Sequence, residues 1–263
     1  MVIPVPSNKG RFTVRIGLTA FRPMQLGIYA YDPSRPHTHY FRRCVTFRPA
    51  PFSAARLQRE IHIPLPVSPK NLEIELINKN GGDDQSFQVD SFKIDPMPPA
   101  EIWATPERHR FMDFAIGFAQ KAGHAPIGFY SSPDNEFLIQ YLDTITDQQG
   151  EELVTPARIH RLMPRVQLSR RMFRQFSIPV RVAILSHEGC HFFRNTRSEK
   201  EADLFGIRYY LDYGFPAIEA VYAATKVFLQ HPESVGQPHV TRTRDIIQFI
   251  DEYKAQRNTQ KIL

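Results

Sequence analysis

His187, Glu188, Gly189, Cys190 and His191 form an H-E-x-x-H sequence. It continues the apolar run Val180-Arg181-Val182-Ala183-Ile184-Leu185-Ser186, which predicts a helix. On a helix, residues four apart project from one face. His187 and His191 can therefore hold one metal ion between them. Glu188 points about 100° round from His187, near enough to reach a metal-bound water. Two imidazoles and a neighbouring carboxylate are the ligands and general base of metal-assisted hydrolysis. One helix cannot surround an ion, so a third ligand must arrive from another element. Ser198-Glu199-Lys200-Glu201-Ala202-Asp203 offers acids on a second helical pattern. Glu199 and Asp203 share a face, whereas Glu201 points about 200° away from Glu199. Either Glu199 is the ligand and Asp203 supports it from behind, or the reverse.

These residues need helices that start and stop in the right places. Ser177 is a predicted cap for the motif helix, with Pro179 in its first turn. Ser198 caps the next helix, and Glu201 three residues on completes a capping box. That helix runs to about Tyr213-Gly214. A further helix follows Pro216, and a last one covers about 242–256. Upstream, Thr105-Pro106-Glu107 opens a helix that Phe111, Phe114 and Phe118 continue at core spacing. The stretches 137–146 and 156–176 read as helix or strand, with Val166–Ser169 a candidate strand. Cys190 reads as a small core residue, and Trp103 also reads as core.

Residues 1–98 follow a different period. Arg11–Leu18 and Gln25–Tyr31 alternate, and further strands are predicted near 40–48, 57–64, 71–78 and 86–94. Asp32-Pro33, Arg48-Pro49 and Asn80-Gly81-Gly82-Asp83 mark turns between them. Short strands at this spacing suggest an antiparallel β-sandwich. His37 and His39 alternate but lack a carboxylate partner, so binding or docking of a protein partner is the expected role. Asp95–Ala100, rich in proline, is the predicted linker. The expected class is α+β: a β-sandwich at 1–98, then a mainly helical domain at 99–263.

H-E-x-x-H followed by E-x-x-A-D on the next helix resembles the gluzincin zinc metallopeptidases. The nearest resemblance is to the minigluzincins and to the HtpX-like and CAAX-prenyl endopeptidases, over roughly 175–250. The resemblance implies a zincin-like fold and a Zn2+ ion held by His187, His191 and Glu199. It also implies Glu188 as general base and Asp203 orienting a histidine from behind. The interval between His191 and Glu199 is shorter than in many members, which demands a tight loop. Those peptidases carry a histidine and then an arginine after the metal motifs. Pro238-His239-Val240-Thr241-Arg242-Thr243-Arg244 matches that order. The resemblance then implies that His239 stabilises the oxyanion, with Arg244 the nearest match to the family's arginine; the alternative is a loop histidine capping the last helix. Glu201–Ile207 and Gly214–Ala220 also resemble metallopeptidase-like proteins of tailed phages.

The 263 residues are 42% hydrophobic and 23% charged, as in a globular protein. No apolar run approaches the ~20 residues of a membrane span, so no membrane role is expected. Met1–Pro6 lacks a basic stretch followed by an apolar core, so no signal peptide and a cytoplasmic location are expected. The net charge is +6, and no acid lies between Glu152 and Glu188 among seven arginines. No nucleic-acid motif accompanies that charge, so nucleic acid is not expected as a partner. A solvated face or pairing with acids elsewhere accounts for it more simply than a preference for acidic substrates. The expected function is zinc-dependent endopeptidase action on a peptide or protein substrate. The alternative is a structural or assembly protein, for instance a virion component of a phage, carrying a vestigial peptidase-like domain.

Overall fold

The computed structural model describes residues 1–48, 57–81, 84–100, 105–160, 165–227 and 237–260. The chain divides into two compact units, Met1–Ala100 and Glu101–Leu263. The first is all β, and the second mixes helices with a sheet.

Among the described residues, the first unit holds seven strands: β1 (Val2–Val5), β2 (Phe12–Ala20), β3 (Met24–Asp32), β4 (Arg35–Phe47), β5 (Leu57–Leu65), β6 (Leu72–Asn78) and β7 (Phe87–Pro96). They form two antiparallel sheets, ordered β1-β6-β3-β4 and β5-β2-β7. Strict alternation buries one face of each: Val14, Ile16 and Leu18 on β2, Leu26, Ile28 and Ala30 on β3. β1 was not foreseen, because a four-residue strand carries little periodic signal. Pro96 ends β7 opposite Phe12 rather than lying in a linker. β7 is an edge strand, where a missing N–H costs no ladder bond. His37 is exposed on β4, and the His39 ring stands 5.5 Å from that of Tyr29.

The second unit opens with α1 (Pro106–Lys121), then β8 (Gly128–Ser131), β9 (Leu138–Leu142), β10 (Ile145–Thr146), β11 (Glu152–Leu153), β12 (Ala157–His160) and β13 (Arg165–Ser169). After these come α2 (Arg170–Phe173), α3 (Ile178–Phe193), α4 (Glu199–Asp212), α5 (Ala217–Tyr222), a π-helical turn (Ala223–Val227) and α6 (Gln237–Gln260). The sheet order is β12-β13-β9-β8, with β13 and β9 parallel and the other pairs antiparallel. β10 and β11 form a separate antiparallel pair. Helices still make up most of the unit's described secondary structure, as expected, and to them is added this four-stranded sheet. Its strands are four or five residues long, too short for alternation to stand apart from a helical pattern.

α1, α3 and the sheet share a core. Phe118 meets Tyr141 edge-on at 5.3 Å, and Phe111 meets Phe137 at 4.6 Å. Arg181 of α3 is fully buried and donates to the main-chain carbonyls of Ala119, Phe173 and Arg174. Its charge is thereby matched by carbonyl dipoles at the ends of α1 and α2. Arg170 pairs with Asp143 at 2.6 Å, and Arg171 with Glu152. Several of the clustered arginines therefore serve the fold. Among the described residues, no helix is long and apolar enough to cross a membrane.

Candidate metal centre

α3 carries His187, Glu188 and His191 on consecutive turns. Its neighbours decide which residues may stand between them. A side chain at Gly189 would collide with the Phe111 ring, so this position of the motif is filled by the smallest residue. Gly206 does the same for α4: a Cβ there would lie 3.0 Å from both the His187 nitrogen and the Ser186 carbonyl. The absence of a side chain lets α4 press against α3 beside the motif.

The loop between these helices is short and ordered. Arg194 caps α3, and Asn195 adopts a left-handed conformation with φ 46°. Asn195 N–H donates to Phe192 O at 3.0 Å, and Thr196 N–H donates to His191 O at 3.2 Å. This is a Schellman ending with asparagine in the usual glycine position. Ser198 then starts α4 by accepting from the Glu201 amide at 3.3 Å. The tight connection brings the first turn of α4 back over the end of α3.

Three donors converge there. His187 Nε2 and His191 Nε2 are 3.1 Å apart. Glu199 Oε2 stands 3.4 Å from His187 Nε2, and Oε1 stands 3.5 Å from His191 Nε2. The three ligand atoms lie within 4.8 Å of one another, the spacing of a group able to hold a metal ion. The opposite ring nitrogens are occupied. His191 Nδ1 donates to Thr196 O at 3.0 Å, and His187 Nδ1 faces Asp203 Oδ1 at 2.9 Å. Each ring therefore presents Nε2 to the common point, as metal-ligating histidines do. The His187 side chain is 6% exposed and that of Glu199 is 58% exposed, so the group opens to solvent on the α4 side.

Glu188 is buried beside this group. Burial pushes its pKa up to about 7, opposed by His187 and by an N–H bond from Ile159 of β12. Burial would depress the His187 pKa, but Asp203 and Glu199 outweigh it and raise it to about 9. The His187 bond holds Glu199 below the usual carboxylate range. Burial acts to raise Asp203, yet its bonds to His187 and Arg242 keep it low as well. Cys190 is buried, which pushes its thiol up to about 12, and it is outside the three-donor group.

Two residues behind the group were not singled out in the linear pattern. Thr196 contributes only a carbonyl. Arg242 donates to Asp203 through Nε at 2.5 Å and Nη2 at 2.8 Å. Arg244, the arginine favoured by the sequence, is exposed instead. Both lie on α6, and the fork geometry selects the one two residues earlier. The helix itself begins at Gln237, ahead of the expected 242. His239 is thus in its first turn, and its side chain lies outside the described residues, as do Trp103 and the His160 and His231 side chains. No family model, no curated protein and no solved structure matches the chain.

Proposed function

We propose that this chain is a zinc-dependent endopeptidase of gluzincin type, in which an N-terminal β-sandwich docks a protein partner and the zincin-like second domain cuts peptide bonds. One observation carries the reading: His187, His191 and Glu199 converge at ligand distance beside a buried Glu188. Two imidazole nitrogens and a carboxylate suit zinc and leave a position for water. When bound, the ion polarises a carbonyl and lowers the pKa of its water towards ~7.

The chain's own groups do the rest. Glu188 takes the proton of the attacking water and returns it to the leaving amine. Its pKa of about 7 before metal binding suits a group that must both accept and release a proton near neutrality. Asp203 and Thr196 keep the two imidazoles turned towards the reacting centre. β12 is an edge strand of its sheet and donates to Glu188, so an extended peptide paired along it would pass the base. His239 supplies a donor to the oxyanion.

Metal analysis of the purified protein followed by a peptide-library digest tests the proposal. The parent is expected to contain one zinc and to cut. Glu188→Gln is expected to keep the metal and lose at least ~10²–10⁴-fold in rate. Stoichiometric zinc with no cleavage by the parent would favour the assembly role.

A further inference from the structure

Among its described side chains, α6 reaches the metal centre through Arg242. The Arg242 guanidinium donates to both oxygens of Asp203, and its Nη2 also stands 3.4 Å from Glu199 Oε2. Asp203 faces the Nδ1 of His187, while Glu199 faces the Nε2 of both histidines. One planar cation therefore braces the two carboxylates of α4 that matter to the site. A guanidinium fork fixes the direction of a carboxylate as well as its distance.

Other ties of α6 to α4 involve neither Glu199 nor Asp203. Asp245 pairs with Lys200 at 2.8 Å, and Tyr253 donates to Asp212 at 2.7 Å. Among the described side chains of α6, Ile246 and Ile250 are the buried hydrophobics. Among the described side chains of α6, Arg242 is the one shown touching Glu199 and Asp203.

We propose that Arg242 is a positioning residue that makes α6 part of the metal centre. Through Asp203 it fixes the His187 ring, and through Glu199 it aims the third ligand. The inference rests on the metal reading of His187, His191 and Glu199, and extends it to a helix outside that three-residue group.

The test uses the full chain, zinc in competition with a chelator, and the visible absorption of the cobalt(II)-loaded protein. Arg242→Gln is expected to weaken zinc binding by about 10–100-fold and to shift the cobalt bands, because ligand geometry changes. Arg242→Lys restores the charge without the fork, so it recovers only part of the affinity. Tyr253→Phe loosens the same helix at its other end and is expected to match the parent in both readouts. Parent-like affinity and spectrum in Arg242→Gln would overturn the proposal while leaving the metal reading intact. Equal weakening by Tyr253→Phe would also overturn it, since helix docking alone would then explain the loss. A parent chain that binds no zinc would remove the metal reading and the proposal together. Should Arg242→Gln fail to fold, Arg242→Lys decides: a weaker site with an altered spectrum supports the role, and parent-like values overturn it.

Discussion

Each imidazole at the centre has one nitrogen committed to the protein and one turned to the shared point. That arrangement makes the two acids of α4 unequal. Glu199 faces both Nε2 atoms, whereas Asp203 lies behind His187. Glu199→Ala is therefore expected to strip or severely weaken zinc binding, and Asp203→Ala to cost about 10–100-fold in affinity. Metal content after dialysis against a weak chelator separates the two; the reverse order would exchange their roles. Protonation makes a further distinction. Without metal, Asp203 and Glu199 outweigh burial and raise His187 to about 9, so the ring carries an extra proton at neutral pH. An ion must displace that proton before it can bind. Zinc affinity is then expected to climb about tenfold per pH unit from neutrality and to level off above the pKa of about 9. Titration calorimetry in buffers of different ionisation enthalpy should register one proton released per ion. A flat profile across that window would mean that His187 is already neutral.

At the scale of elements, the site depends on how closely α4 approaches α3. Gly206 permits that approach, since a Cβ would come within 3.0 Å of main-chain atoms of Ser186 and His187. These atoms belong to a buried helix and cannot move cheaply. Gly206→Ala is expected to destabilise the unit by about 1–3 kcal/mol of overpacking, offset in part by better helix propensity. It should also weaken zinc binding, because Glu199 and Asp203 ride on the displaced helix. Gly117 of α1 is the control, with nothing within 4 Å of an added Cβ. Gly117→Ala is expected to leave zinc binding alone and to raise stability by up to ~1 kcal/mol. Thermal melts and chelator competition on both variants read the difference. If Gly206→Ala binds zinc as the parent does, the close approach of the two helices is not what forms the site.

At the scale of the molecule, Met1–Ala100 and Glu101–Leu263 each carry a buried core, and the candidate donors all lie in the second. Zinc at about a hundredfold over its Kd is expected to stabilise that unit by ~2.7 kcal/mol. Scanning calorimetry should show one transition moving and the other staying; a single transition moving as a whole would mean that the chain unfolds as one. The linear pattern announced much of this organisation. Alternation over seven to nine residues located β2, β3, β5 and β6, because period two is set by the backbone and survives without tertiary information. Four-residue spacing likewise placed His187 and His191 on one face, and Ser198 marked the start of α4. The mid-chain sheet was legible only in part: Val166–Ser169 stood out as a candidate strand, but β8 and β9 did not, because four- and five-residue strands take their identity from partners distant in sequence, as Ile139 does from Val166. The same limit applied at the site. Which arginine of α6 braces Asp203, which carbonyl orients His191 and which amide meets Glu188 are outcomes of helix and strand approach, not of residue type. Local spacing determined which residues are candidate ligands; only packing decided which acid of α4 faces both histidines and what holds the group in place.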